Sequence, residues 1–98
     1  MAKKPSYAQS LPWHPPHVTK EQARAIQLVA LGQAGEIEQK TALKTIIDIL
    51  GARDELEFRP DEFGGERGSA FMAGRRFVAL QVVRWATASG KLIETLPD

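Results

Sequence analysis

In this 98-residue sequence, the residues whose type and spacing most resemble a metal site are two histidines. His14 and His17 stand three apart in a proline-rich stretch, which can bring two imidazole rings together, but a zinc site needs about four ligands. No acidic cluster lies beside them, and the chain has no cysteine. We therefore expect no metal site, and the lack of cysteine excludes disulfides, thiol catalysis and iron–sulfur clusters.

Neither a nucleophile nor a phosphate loop is evident. Ser69 lacks the G-x-S-x-G surroundings of a nucleophile elbow. The glycine-rich run 64–68 precedes a helical pattern but lacks the preceding strand and the Lys-Ser/Thr pair of a phosphate loop. It is predicted to be a turn and a helix cap, and we expect neither an enzyme nor a cofactor.

The dipeptide Arg75-Arg76 is the most informative charged motif. On a helical wheel Arg75 falls on the apolar side, where a guanidinium needs a partner because an unpaired buried charge costs several kcal/mol. We predict that a structural salt bridge from Arg75 anchors the preceding loop, and a phosphate or protein contact is the alternative. Gly74 is predicted to admit Ile46 or Ile47. The candidate carboxylates for Arg75 are Asp54, Glu57, Asp61 and Glu62.

Residues 1–18 form a predicted extended arm ahead of a single helical domain, 19–98. Four of the chain's six prolines lie in this arm, and proline disfavours helix. Tyr7, Leu11 and Trp13 give the arm more apolar surface than a solvated tail needs. We expect these three residues to pack either on the chain's own helices or on a neighbouring subunit or another protein.

The sequence predicts an all-α fold, a helical hairpin followed by a long third helix. A capping box at Thr19 and Gln22 starts the first helix, which runs to Leu31. Two glycines within 32–35 then turn the chain into a second helix over 36–50, with Gly51 as its stop.

The third helix is predicted to begin within 66–69 and to reach residue 88. Its core stripe is expected to be Phe71, Gly74, Val78, Val82 and Trp85, which recur at helical spacing. The segment 53–69 is predicted to be a loop whose aromatic side chains pin it to the core.

The opposite side of the third helix carries a second set of large apolar side chains. Phe77 and Leu80 lie there beside Arg84, away from the expected core stripe. Exposed apolar side chains of this kind favour a contact with another subunit or another protein. We therefore expect a homo-oligomer, a complex with another protein, or both.

Charge and hydropathy limit the other partners. The formal net charge is +1, so a strong non-specific affinity for nucleic acid is not expected. Glu36 and Glu38 open the second helix and disfavour a DNA-reading helix-turn-helix. No apolar run reaches the roughly 18–20 residues that cross a bilayer, so we expect no membrane partner and no export. The residues that could still form a local nucleic-acid contact are Lys3, Lys4, Arg76, Arg84 and Lys91.

Two segments resemble a known family. The run G-Q-A-G-E-I-E-Q over 32–39 resembles a helix start, G-E-A-x-x-x-Q-Q, of a family of small tailed-bacteriophage proteins. The run A-F-M-A-G-R-R-F-V-A-L-Q over 70–81 resembles that family's F-x-x-G-R-R-x-V-G-L-Q helix, and F-R-P over 58–60 lies between the two. Those proteins are encoded among the head and packaging genes, and the likeness spans residues 19–85. This chain has Gln33, Lys40 and Ala79 where the family often has Glu, Gln and Gly.

The resemblance implies a phage context and a helical domain, and the family has no established enzymatic role. On that basis we expect a virion or head-assembly component that binds other phage structural proteins, in the virion or in the host cytoplasm during assembly. The alternative is a nucleic-acid-binding packaging factor that resembles a small terminase subunit.

Overall fold

The computed structural model describes residues 11–98 and folds them into helices joined by turns. Helix α1 spans Lys20–Ala30, α2 spans Glu36–Thr45, α3 spans Gly65–Ala86 and α4 spans Gly90–Glu94. A π-helical turn, Ile46–Leu50, continues α2, and a 3-10 turn, Asp61–Phe63, precedes α3. No strand occurs within residues 11–98. The predicted all-α class, a hairpin plus a long third helix, is confirmed.

The start of α1 follows the predicted capping box. The Thr19 hydroxyl accepts the Gln22 backbone N–H at 3.1 Å, and the Gln22 side-chain oxygen accepts the Thr19 backbone N–H at 2.9 Å. Gly32 turns the chain after α1 with φ +70°, a left-handed conformation that favours glycine. The short link lets α1 pack on α2 as a hairpin.

Small buried side chains bring α1 and α2 together. Ala25 of α1 and Ala42 of α2 are each 2% exposed. Thr45 is buried as well, and its hydroxyl donates to the Thr41 carbonyl at 2.7 Å, which satisfies the polar group without an outside partner.

The end of the second helix differs from the prediction. The α-helix stops at Thr45, and the π-helical turn over the next five residues ends at Gly51, whose N–H bonds to the Ile46 carbonyl at 2.7 Å. Gly51 keeps a right-handed φ of −89°, and Ala52 takes the left-handed turn with φ +48°. Gly51 is instead required for close packing, because a Cβ there would lie 2.5 Å from the Ala79 Cβ of α3.

The core side of α3 was predicted wrongly. Phe71, Val78 and Trp85 are 40–60% exposed, whereas Met72 and Ala79 are at most 1% exposed. Part of the reason is distance, because the π-helical turn approaches α3 at Gly51 and Ala79 too closely for a large side chain. Met72 fills the remaining space on this side. The buried residues of α3 are Gly65, Gly68, Met72 and Ala79.

Gly74 also departs from its predicted role. A Cβ built on it would meet nothing within 4 Å, so neither Ile46 nor Ile47 approaches it. The close approach between the second helical segment and α3 occurs at Gly51 and Ala79, about one and a half turns further along α3.

The fold is extended for its length. The Cα radius of gyration is 15.9 Å, whereas a compact chain of about 100 residues has a value of about 13 Å. The π-helical turn and the 3-10 turn are the helical elements that contact α3 within residues 11–98, and α1 does not reach it. Among the described residues, the only large side chain below 2% exposure is Met72. The described part of the chain therefore has a small core and a large apolar exterior.

No helix within residues 11–98 combines the length and the apolar character that crossing a bilayer would demand.

Candidate protein-interaction surface

Two adjacent arginines fasten α3 to the rest of the fold, and their roles differ from the prediction. The Arg75 Nε donates to the Leu50 carbonyl at 2.5 Å and a terminal nitrogen donates to the Ile49 carbonyl at 2.6 Å. These carbonyls end the π-helical turn, where no further turn follows to supply N–H partners and the helix dipole is negative. The predicted salt bridge of Arg75 is therefore wrong for the described residues, because this side chain reaches a helix end.

The loop is anchored by the neighbouring arginine instead. Arg76 donates from Nε to the Arg53 carbonyl at 2.7 Å and pairs with the Glu57 carboxylate at 3.3 Å. Successive residues of a helix point about 100° apart, so Arg76 faces the loop while Arg75 faces the π-helical turn. Sequence reasoning identified the loop anchor but placed it one residue too early.

Arg59 is a structural residue that sequence reasoning missed. It is 2% exposed, and one terminal nitrogen donates to the Leu56 and Phe58 carbonyls at 2.6 and 3.0 Å. Its backbone N–H donates to the Ser69 hydroxyl at 2.7 Å. Phe58 is 66% exposed, so Arg59, not an aromatic side chain, holds this part of the loop. Nothing in the local sequence Phe58-Arg59-Pro60 indicated that the arginine would be buried.

The arm packs on its own chain from residue 11 onward. Pro12 is buried against Gly64 and Gly68, where an added Cβ would lie 3.1 and 3.2 Å from the proline ring. The Trp13 ring meets Phe71 edge to face with centroids 6.2 Å apart, and Trp13 stays 46% exposed. Leu11 is half-buried. These contacts favour the packing of Trp13 within one chain over its predicted alternative, a grip on a neighbour.

The predictions for the first ten residues lie outside the described part of the chain. These predictions concern Tyr7 as an interface residue and Lys3 and Lys4 as nucleic-acid contacts.

One exposed face of α3 matches the predicted contact surface. Phe77 is 61% exposed and Leu80 is 37% exposed, and Arg84 lies one further turn along the same side. We call these three residues the outer face. Large apolar side chains beside an arginine are typical of the centres of protein interfaces.

A second apolar surface was not predicted. It is a groove of about 590 Å³ between the π-helical turn and α3, which we call the α3 groove. Within residues 11–98, Arg75 is the only charged residue that lines it, and this side chain already donates to the Leu50 and Ile49 carbonyls. The apolar lining includes Ile46, Leu50, Phe71, Gly74, Val78 and Val82.

The basic residues of α3 and α4 do not share one role. Arg76 is engaged by the loop, and the Arg84 guanidinium lies 4.8 Å from the centroid of the Trp85 ring. Lys91 is exposed on α4. Since Arg76 already has a carboxylate partner, its charge contributes less to a phosphate-binding patch than the sequence suggested.

The two histidines lie beside a second cavity, of about 420 Å³, between the arm and the loop. Asp48 and Glu55 face it together with Arg59 and Arg75. Within residues 11–98, no group of three or more His, Asp or Glu side chains is placed to hold a metal ion. Because both acidic and basic side chains face this cavity, its charge favours neither an anion nor a cation.

The chain matches no protein-family model, no curated protein and no solved structure. The surfaces described above and the motifs of the sequence are therefore the features that indicate its function.

Proposed function

We propose that this chain is a small tailed-bacteriophage protein that acts in the virion or during head assembly through protein–protein contacts. The outer face is the observation that carries the proposal. Phe77 is 61% exposed in the middle of a 22-residue helix, on a side that no other described element covers. A surface of this kind is completed by another protein.

The resemblance to phage head and packaging proteins supplies the setting. Its second motif, over 70–81, contains Phe77 and Leu80 as well as the two anchoring arginines. Arg75 and Arg76 hold α3 in place, so the motif joins a structural anchor to an exposed contact surface. Other phage structural proteins are the proposed partners of the outer face, in the virion or in the host cytoplasm.

An inventory of purified particles tests the proposal most directly. Mass spectrometry of particles from the encoding phage should find the chain in many copies if it is a virion component. For an assembly component that leaves the mature particle, the chain should co-purify with head intermediates. Absence from both preparations would contradict the proposal.

A pair of variants then tests the outer face itself. The double change Phe77→Asp and Leu80→Asp should lower incorporation into particles or head intermediates at least tenfold while the helical circular-dichroism signal is kept. The control is Ala86→Asp, which adds a charge to α3 at an exposed position outside the outer face. Loss of incorporation by both variants alike would remove the special role of Phe77 and Leu80.

The nucleic-acid alternative gives a different result in a binding assay. A packaging factor that neutralises several phosphates should bind DNA at low salt and lose affinity steeply as salt rises. We expect little binding at any salt, because Arg76 is paired with Glu57 and the net charge is +1. Salt-dependent binding that Arg84→Gln and Lys91→Gln weaken would favour the packaging factor instead.

A further inference from the structure

Gly74 occupies an unusual position in α3. It is the tenth residue of a 22-residue helix, exposed, and a Cβ built on it would meet nothing within 4 Å. A glycine in a helix interior lowers helix stability relative to alanine. Nothing within residues 11–98 uses the space that this glycine leaves open, and that space would admit the backbone of an approaching partner.

The surroundings of Gly74 indicate the type of partner. Gly74 lies in the α3 groove, whose sides are Ile46 and Leu50 from the π-helical turn and Phe71 and Val78 from α3. A groove that is open at a glycine and bordered by apolar side chains fits a helix whose backbone approaches closely. The one charged lining residue, Arg75, is engaged by two carbonyls, so the groove offers little to a charged ligand.

The chain itself carries a helix that fits this description. Phe71 and Val78 flank Gly74 by about one turn on either side and remain 46% and 60% exposed. They protrude from the same helix that forms the groove, so each copy presents both the protruding side chains and the space to receive them. This self-complementarity is what a two-fold symmetric interface requires.

We propose that a second copy of this chain occupies the α3 groove, with its own α3 crossing the first at Gly74 about a two-fold axis. The closest approach of two helices related by a two-fold axis lies on that axis. Because Gly74 is the residue that permits the closest approach, Gly74 of each copy faces Gly74 of the other.

Charge and area are compatible with this occupant. A formal net charge of +1 gives little repulsion between two copies. The exposed parts of Leu50, Phe71 and Val78, 38–60% of each residue, make a small contact. It falls in the class of weak interfaces, which bury less than about 1,200 Å² in total. We therefore expect a dimer whose population depends on concentration in the micromolar range.

Sedimentation velocity of the full chain from about 1 to 500 µM provides the first measurement, since a small interface gives a weak dimer. A monomer at low concentration and a dimer at high concentration are expected. A monomer throughout this range would overturn the proposal, and so would a trimer or higher ring, because a two-fold interface closes at two copies.

Gly74→Leu separates the interface from the fold. The Leu side chain enters open space in the monomer, so the thermal midpoint at 1 µM should stay the same or rise. The same side chain blocks close approach, so the dimer dissociation constant should rise at least tenfold. An unchanged or stronger dimer would overturn the proposed crossing point. Phe77→Asp with Leu80→Asp is the control, and it should leave the dimer intact.

A disulfide provides a test that does not depend on losing a contact. The chain has no cysteine, so a single introduced thiol can pair only with its counterpart in a second copy. Gly74→Cys should form a linked dimer under mild oxidation, because the Cα atoms of a disulfide lie about 4.4–6.8 Å apart. Phe77→Cys is the control, and it should link at least tenfold more slowly. Equal rates for the two variants would overturn the proposal.

The main competing occupant is α4, which contacts no other element within residues 11–98 and exposes Leu92 and Ile93. A chain ending at Ser89 should dimerise as well as the full chain, and loss of the dimer on truncation would assign the groove to α4 instead. Dimerisation at Gly74 does not require the phage assignment. A monomeric wild type whose Phe77→Asp/Leu80→Asp variant still loses incorporation would overturn the dimer and leave the proposed function standing.

Discussion

Large apolar side chains are usually buried and small ones exposed, but two regions of α3 show the reverse. The inner side, which packs on the π-helical turn, carries mostly small residues, and the remaining exposed sides carry large apolar residues. Gly68 and Ala79 lie on the buried side, whereas Phe71, Phe77 and Val78 are 46–61% exposed. The inner side packs against a π-helical turn so closely that Gly51 has no room for a Cβ. Burial along this helix therefore follows the distance to the neighbouring backbone more than the hydrophobicity of the side chain.

This inversion explains why the largest apolar residues of α3 remain available to partners. Small residues, Met72 and two arginines hold α3 to the fold, and the Phe71 ring contacts the arm through Trp13. Arg75 bonds to the helix end and Arg76 to the loop, so polar contacts replace part of a hydrophobic core. Truncating a side chain on the buried side should therefore lower the stability of the fold, whereas truncating one on the outer face should weaken assembly and leave stability unchanged.

Met72→Ala should have the largest effect on stability. Met72 is 0% exposed and is the one large side chain below 2% exposure within residues 11–98. Truncating a fully buried Met leaves a cavity and lowers the free energy of unfolding by about 2–5 kcal/mol. Urea denaturation at one fixed protein concentration measures the loss. A loss below about 1 kcal/mol would mean that the inner side is not the core of the fold.

Gly51→Ala should have the next largest effect, although it adds only one methyl group. The new Cβ would lie 2.5 Å from the Ala79 Cβ and 2.9 Å from the Ile47 carbonyl oxygen. Because one of these neighbours is backbone, the helices must shift, at a cost of about 1–3 kcal/mol. Gly90→Ala is the control, since a Cβ there meets nothing within 4 Å. Equal urea midpoints for the two variants would show that α3 can move away freely.

Arg75→Met should cost less, about 1–2 kcal/mol, because it removes the donors to the Leu50 and Ile49 carbonyls but keeps an apolar stem. Arg76→Met should cost less again, since its side chain is 38% exposed and water can replace its contacts. Urea midpoints of the two variants give the comparison. If Arg76→Met were the more harmful, the loop anchor would matter more than the helix-end contact.

Much of the backbone fold could be predicted from the sequence because local signals specify it. The Thr19 capping box, the Gly32 turn and the glycines before α3 each act within a few residues, and all three are confirmed. The π-helical turn could not be predicted this way. Its last two carbonyls accept hydrogen bonds from Arg75, which lies about 25 residues further along the chain, so no local pattern indicates it.

It was harder to predict which face of α3 is buried, because two sets of apolar residues on this helix both recur every seven residues. Phe71, Val78 and Trp85 recur every seven residues, and so do the buried pair Met72 and Ala79, displaced by one position. Hydrophobic periodicity favours the stripe with larger side chains, and only the contact with Gly51 decides between them. The outer face was predicted because Phe77 and Leu80 lie away from the expected core stripe. They are also exposed in the structure, although a different stripe is buried.

Phe77→Ala should have the smallest effect on stability and so tests the other half of the comparison. With 61% of the residue exposed, truncation removes little buried area, and the free energy of unfolding should change by no more than about 0.5 kcal/mol. The same urea assay that detects Met72→Ala measures it. A loss above about 2 kcal/mol would mean that Phe77 is covered within a single chain in solution. In that case α3 would have no free outer face, and the size inversion would describe one helix with two buried sides. An unchanged midpoint, together with weaker incorporation into particles, would assign Phe77 to contacts between proteins, because a side chain that adds nothing to its own fold can then act only through a partner.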